Sequence, residues 1–173
     1  MYNGFNIEHL DKYTSNDILT IIDFLKNCHY YYKEEKYPEI LTLIKELYTL
    51  NNSDEIKLVE KFFIEYFNEV SEHLDYEDKI AFPYFCEIAN ANRIEEENKK
   101  FSVKDYRDHH TDIETKLSEL RNLLLKHIAI KNDRLIRRKL LFCLFELEYD
   151  LNIHSLIEEE ILIPLVQMTE FKN

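Results

Sequence analysis

Along this chain apolar residues recur at alternating steps of four and three, the period that turns one face of an α-helix toward a core. The first such row is Ile18, Ile22, Leu25, His29 and Tyr32. Pro38 should kink or restart that helix, after which Ile40, Leu43, Ile44 and Leu47 carry the stripe to NNSD at 51–54. A second row holds Val59, Phe63, Tyr66, Val70, His73, Glu77, Ile80 and Tyr84. The third is Tyr106, His110, Ile113, Leu117, Leu120 and Leu124, and the fourth is Leu140, Leu144, Leu147, Leu151, His154, Glu158, Ile161 and Leu165. Four His and two Glu thus stand where the register asks for Leu or Ile.

The boundaries follow from capping chemistry. Ser15 or Asn16 can cap the first helix and Ser53 or Asp54 the second, which runs a little past Pro83. NANRIEEENKK (90–100) is the longest linker, and Ser102 with Asp105 resembles a capping box for the third helix. KND (131–133) ends that helix, and the fourth runs from about Arg134 to about Gln167. The expected fold is all-α, an up-down-up-down four-helix bundle over 15–173, with 1–14 as an N-terminal extension.

Composition agrees with this pattern. Apolar types make up 45% of the 173 residues and charged types 32%, a globular balance, while one Gly and three Pro leave little for the turns of a sheet. The net charge of −12 disfavours nucleic acid and anionic membrane surfaces, both of which repel a negative field. RLIRRK (134–139) is the one basic cluster and reads as a solvated helix face. Cys28, Cys86 and Cys143 are widely spaced with no C-x-x-C, so no disulfide framework is expected and a reducing compartment fits. No apolar run approaches the ~20 residues of a membrane span. The start MYNGFNIEHLD lacks a basic region followed by an apolar one, so the chain reads as cytoplasmic.

The polar seam residues repeat. Adding 81 to His29, His73, Glu77 and Pro83 gives His110, His154, Glu158 and Pro164, so the chain reads as two copies of a helical hairpin, each offering one His and one His-x-x-x-Glu. Pro38 has no twin, because position 119 is Glu. His29 and His110 lie 21 residues from the turns near Leu50 and Lys131; His73 lies 19 from Asp54 and His154 lies 21 from Asp133. At about 1.5 Å per residue, antiparallel neighbours bring all four His to one level, roughly 30 Å from those turns.

Two carboxylates buried together without compensation cost several kcal/mol each or are driven to protonate. Cations among them remove that penalty, and the His-x-x-x-Glu spacing puts both side chains on one helix face. The competing reading is a hydrogen-bonded polar cluster with water. Imidazole with carboxylate suits iron, with manganese or zinc as alternatives. Four nitrogens and two bridging carboxylates give two metals about four protein bonds each. That leaves roughly two positions per six-coordinate iron for an oxo or hydroxo bridge and an outside ligand.

At these residues, and in HYYYKEEKYPEI (29–40), the chain resembles the hemerythrin-like (HHE cation-binding) family over roughly 17–168. The resemblance implies a four-helix bundle around a non-haem di-iron centre. His29, His73, His110 and His154 would be terminal ligands, and Glu77 and Glu158 bridges. The set of four His and two Glu is closest to the di-iron proteins for repair of iron centres, which act in nitrosative and oxidative stress and would have iron–sulfur client proteins.

Other residues are set aside. His109 points about 100° from the seam that selects His110, His127 lies some four and a half turns away, and His9 has no partner in the repeat. Cys28 reads as packing, and of EEE (158–160) only Glu158 holds the seam. Tyr32 and Tyr106 lie within a turn of His29 and His110; packing is their default role and a hydrogen bond to a ligand the alternative. The leading function is a di-iron protein handling O2, NO, peroxide or other reactive species, with iron-centre repair its most specific form. The alternative is an O2-, NO- or redox-sensing module that signals to a partner protein. Peroxidase or oxidase activity is disfavoured, since no general acid or substrate pocket is legible.

Overall fold

The computed structural model describes residues 13–90, 106, 113–126 and 133–170, and every element among them is helical. The first run is α1 (Ser15–Tyr31) and α2 (Tyr37–Asn51), joined through Tyr32–Lys36. The second is α3 (Asp54–Tyr76) and α4 (Phe82–Ala89), joined through Glu77–Ala81. The third is α5 (Ile113–Lys126), and the fourth is α6 (Arg134–Ile157) and α7 (Ile163–Glu170), joined through Glu158–Leu162. The predicted linker from 91 to 100 and the cap at Ser102 and Asp105 lie outside the described residues.

The three joints are π turns, which the seven-residue pattern does not announce. In each, an amide reaches the carbonyl five residues back: Tyr37 to Tyr32, Phe82 to Glu77, and Ile163 to Glu158. The next residue is Pro every time, at 38, 83 and 164. Proline has no N–H, and inside a regular helix its ring strikes the carbonyl four residues back. In the first turn of a fresh α-segment the missing amide costs nothing. A single wider turn provides that restart without breaking the run.

The extra residue has a price in register. It advances the following side chains by about 100° around the axis, so the core position inside each Glu turn moves by one residue, while Tyr84 and Leu165 further on are buried as expected. Ile80, expected inward, is 46% exposed, and Ala81 is buried instead. Ile161, likewise expected inward, is only half-buried, and Leu162 takes the core position. Upstream of the turns the seam is as predicted: Ile18, Ile22, Leu25, Val59, Phe63, Tyr66, Val70, Leu140, Leu144, Leu147 and Leu151 are all buried.

Caps account for the helix ends. The first cap lies one residue earlier than expected: Thr14 donates from its amide (2.6 Å) and hydroxyl (2.8 Å) to Asp17 Oδ2, and its carbonyl accepts from the Asp17 amide. Ser53 Oγ accepts from the Ile56 amide at 3.3 Å, as a helix cap should. Asn52 closes α2 in the left-handed conformation (φ 46°, ψ 47°), which Asn tolerates, and its amide bonds Tyr48 O.

Two compact units share these helices. One comprises 28–75 with 111–152. Its core includes Ile40, Ile44, Leu47, Phe63, Leu117, Leu120, Leu140 and Leu144. Each such side chain contributes about 1.5–3 kcal/mol on burial. Tyr37 packs against Phe63, Tyr66 and Phe67, with ring centroids 5.7, 6.1 and 4.4 Å away. In this unit Arg137 turns inward, correcting the expectation that RLIRRK is wholly solvated. It pairs with buried Asp133 at 2.8 Å, and Asn51 donates to the same carboxylate oxygen at 2.8 Å. Lys36 is buried too, bonded to Glu146 at 2.6 Å and Glu39 at 3.2 Å.

The other unit comprises 1–27, 76–110 and 153–173. Its described core gathers Ile18, Ile22, Leu25, Phe82, Phe85, Ile88, Tyr106, Leu162, Ile163 and Val166. Tyr84 donates to Glu170 Oε1 at 2.7 Å, tying α4 to the end of α7. No described helix is long and apolar enough to cross a membrane.

Candidate metal centre

Glu77 and Glu158 each open a π turn, as first residue of Glu77–Ala81 and Glu158–Leu162. Both are almost wholly withdrawn from solvent, at 0% and 1% exposure. Carboxylates this deep need compensation, because burying an isolated charge costs far more than any packing gain returns. Their neighbours supply part of it.

Tyr106, itself 1% exposed, donates its hydroxyl to Glu77 Oε1 at 2.8 Å. Glu158 lies close enough for its charge to act on the same hydroxyl. Burial first, then the negative charges of Glu158 and Glu77, hold the Tyr106 hydroxyl protonated far above an ordinary tyrosine. The phenol is therefore a donor, not a second base. Phe85 meets its ring edge-on with centroids 5.5 Å apart, which fixes the plane from which the hydroxyl projects.

His154 stands one turn before Glu158, 5% exposed, with Nδ1 3.4 Å from Glu158 Oε2. His29, on α1, is 1% exposed. His29, His154 and Glu158 each offer one ligand atom, and the three atoms lie within 4.8 Å of one another. His73 is half-buried on the last turn of α3, one turn before Glu77. His110 lies outside the described residues, as do the discounted His9, His109 and His127.

Two imidazole-bearing residues and a carboxylate within one ion's reach form a donor set that fits a divalent or trivalent cation of the iron, manganese or zinc kind. Glu77 and Tyr106 extend the polar cluster beyond those three. The hydroxyl of Tyr106 was the least legible participant: only its place on the seam, one turn before His110, marked it in the sequence.

Comparison with known proteins gives one match. The hemerythrin HHE cation binding domain matches residues 20–166. No curated protein and no solved structure gives a significant match. The match spans most of the chain and takes in all six seam residues, His29, His73, Glu77, His110, His154 and Glu158. With an all-α helical architecture and a buried His/Glu cluster in place, the chain belongs to the hemerythrin HHE cation-binding family and is a cation-binding module.

Proposed function

We propose that the protein binds two iron ions, with an oxo or hydroxo bridge, and uses them to handle a small diatomic ligand or a reactive oxygen or nitrogen species. In this reading Glu77 and Glu158 are bridging ligands, and His29, His73, His110 and His154 are terminal ligands. The observation that carries it is the depth of the two carboxylates: buried at 0% and 1% exposure, with the Tyr106 phenol bonded to Glu77 and His154 beside Glu158. Cations offset a negative pair of that kind more completely than one neutral hydroxyl does.

When bound, the metal pair supplies open coordination positions and one-electron chemistry; the rest is work for the protein. The His-x-x-x-Glu spacing fixes imidazole and carboxylate on one helix face before any ion arrives. The apolar core around Leu25, Phe85, Leu162 and Val166 excludes water from the carboxylates of the same unit. Cys28, Cys86 and Cys143 form no disulfide, which suits a reducing cytoplasm, where an iron-centre repair protein would meet its iron–sulfur clients under nitrosative or oxidative stress.

The test uses the iron-loaded chain. Adding O2 or NO should change its optical spectrum within the time of mixing. Adding the chain to an iron–sulfur enzyme inactivated by NO should restore that enzyme's activity. A spectral response that reverses on removing the gas, with no restoration, would replace repair by the sensing reading. No spectral response to either gas would remove both.

A further inference from the structure

Within the unit that carries Glu77, Glu158 and Tyr106, the internal repeat is broken at one telling position. Subtracting the repeat offset of 81 from Tyr106 gives Leu25. Both residues lie in the same apolar core, at 1% and 0% exposure. Where one half offers a hydroxyl, the other offers a hydrocarbon. The carboxylates they serve are themselves twins, Glu77 and Glu158, each at the first residue of a π turn.

A phenol carries one proton, so it donates to one carboxylate at a time. Tyr106 donates to Glu77 Oε1 at 2.8 Å. Leu25, the repeat partner of Tyr106, has no hydroxyl to offer. That donor occupies a lone pair on one oxygen of Glu77, leaving the two carboxylates with different electron density to offer.

We propose that Tyr106 is a positioning residue for the metal centre, holding Glu77 through its hydroxyl where the other half of the repeat has only Leu25, and that it makes the two bound ions inequivalent although their nearest ligands are repeated. This rests on the metal-binding reading above. Its consequence is a centre with two distinguishable ends, so that an incoming ligand meets unlike metals.

The experiment compares wild type with Tyr106→Phe, which removes only the hydroxyl, and with Tyr106→Leu, which copies the repeat partner at 25. Each is loaded with iron(II); affinity is read by titration and the iron environments by Mössbauer spectroscopy. Wild type should show two unlike iron signals in equal amounts. Tyr106→Phe should bind iron about 10–100-fold more weakly, with its two signals drawn together, and Tyr106→Leu should behave the same way. A role in packing alone would lower the melting temperature of Tyr106→Leu and leave the Tyr106→Phe spectrum as in wild type. Wild-type affinity and an unchanged spectrum in Tyr106→Phe would overturn the proposal while leaving the metal site standing, and equivalent irons in wild type would overturn it also. A wild-type chain that takes up no iron would instead sink the metal-binding reading, and this proposal with it.

Discussion

Three π turns among the described residues share one backbone design and differ in the residue that opens them. Tyr32–Lys36, Glu77–Ala81 and Glu158–Leu162 each widen the helix by one residue and deliver the chain to a proline. The first opens on buried Tyr32 and ends on Lys36, whose ammonium is bonded to Glu146 and Glu39. The other two open on buried carboxylates set in an apolar core, with the Tyr106 phenol on Glu77 and the His154 imidazole beside Glu158. The wide turn is thus a way of placing proline in a continuous helix. Chemistry enters with the side chain set at its first position, and the proposed carboxylate ligands stand at the two Glu turns.

The largest effect should come from breaking a Glu turn. Glu158→Ala should lower metal content nearly to zero, because a bridging carboxylate serves both ions, whereas His154→Ala should lower it in part. Elemental analysis of the purified variants decides this, and metal content as in wild type for either would count against that residue as a ligand.

The next test adds a proline where the repeat lacks one. Position 119, the partner of Pro38, is an exposed Glu within the regular helix α5. Glu119→Pro should cost about 3 kcal/mol in denaturant unfolding, because no wide turn is there to receive it. A loss below about 1 kcal/mol would mean that α5 builds a π turn on demand. The converse change is milder. Pro164→Ala restores an amide in the first turn of α7, where none is required, and should alter stability by less than about 1 kcal/mol.

The smallest effect near neutral pH belongs to Lys36→Met. The partners Glu146 and Glu39 are largely solvated, so neither is stranded when the ammonium is removed. Burial works against the Lys36 ammonium, and hydrogen bonds to Glu146 and Glu39 overcome it, raising its pKa above the ordinary lysine value of 10.5. A group whose folded pKa is raised contributes its stability fully below the unfolded pKa and loses it as pH climbs through the folded one. Wild type should therefore lose ground to Lys36→Met only above about pH 10.5. Parallel melting curves of the two proteins across the alkaline range would contradict the assignment.

Much of this was legible because helix seams and ligand spacing are periodic properties. His29, His154, Glu77 and Glu158 stood out as polar residues on apolar rows, and all four are buried. Ile80 and Ile161 were misread for one physical reason: a π turn inserts a residue without leaving a mark in the apolar spacing before it. The prolines at 83 and 164 were the available signal, since a proline amid an unbroken apolar stripe requires some local accommodation. Lys36 and Arg137 were also missed. Lys36 is betrayed by Glu146, far away in sequence, which no local pattern announces. Arg137 pairs with Asp133 at i,i+4, a spacing equally common on solvated helix faces, and it is distant Asn51, bonded to the same carboxylate, that marks the pair as buried.

The central claim is that Glu77 and Glu158 are buried together because they share cations. Metal analysis of the aerobically purified chain, taken with its optical spectrum, tests it most directly. The account predicts about two irons per chain, the stoichiometry of di-iron helical bundles, with near-ultraviolet oxo-to-iron absorption. A folded chain that retains no metal after incubation with excess iron, manganese or zinc would contradict it.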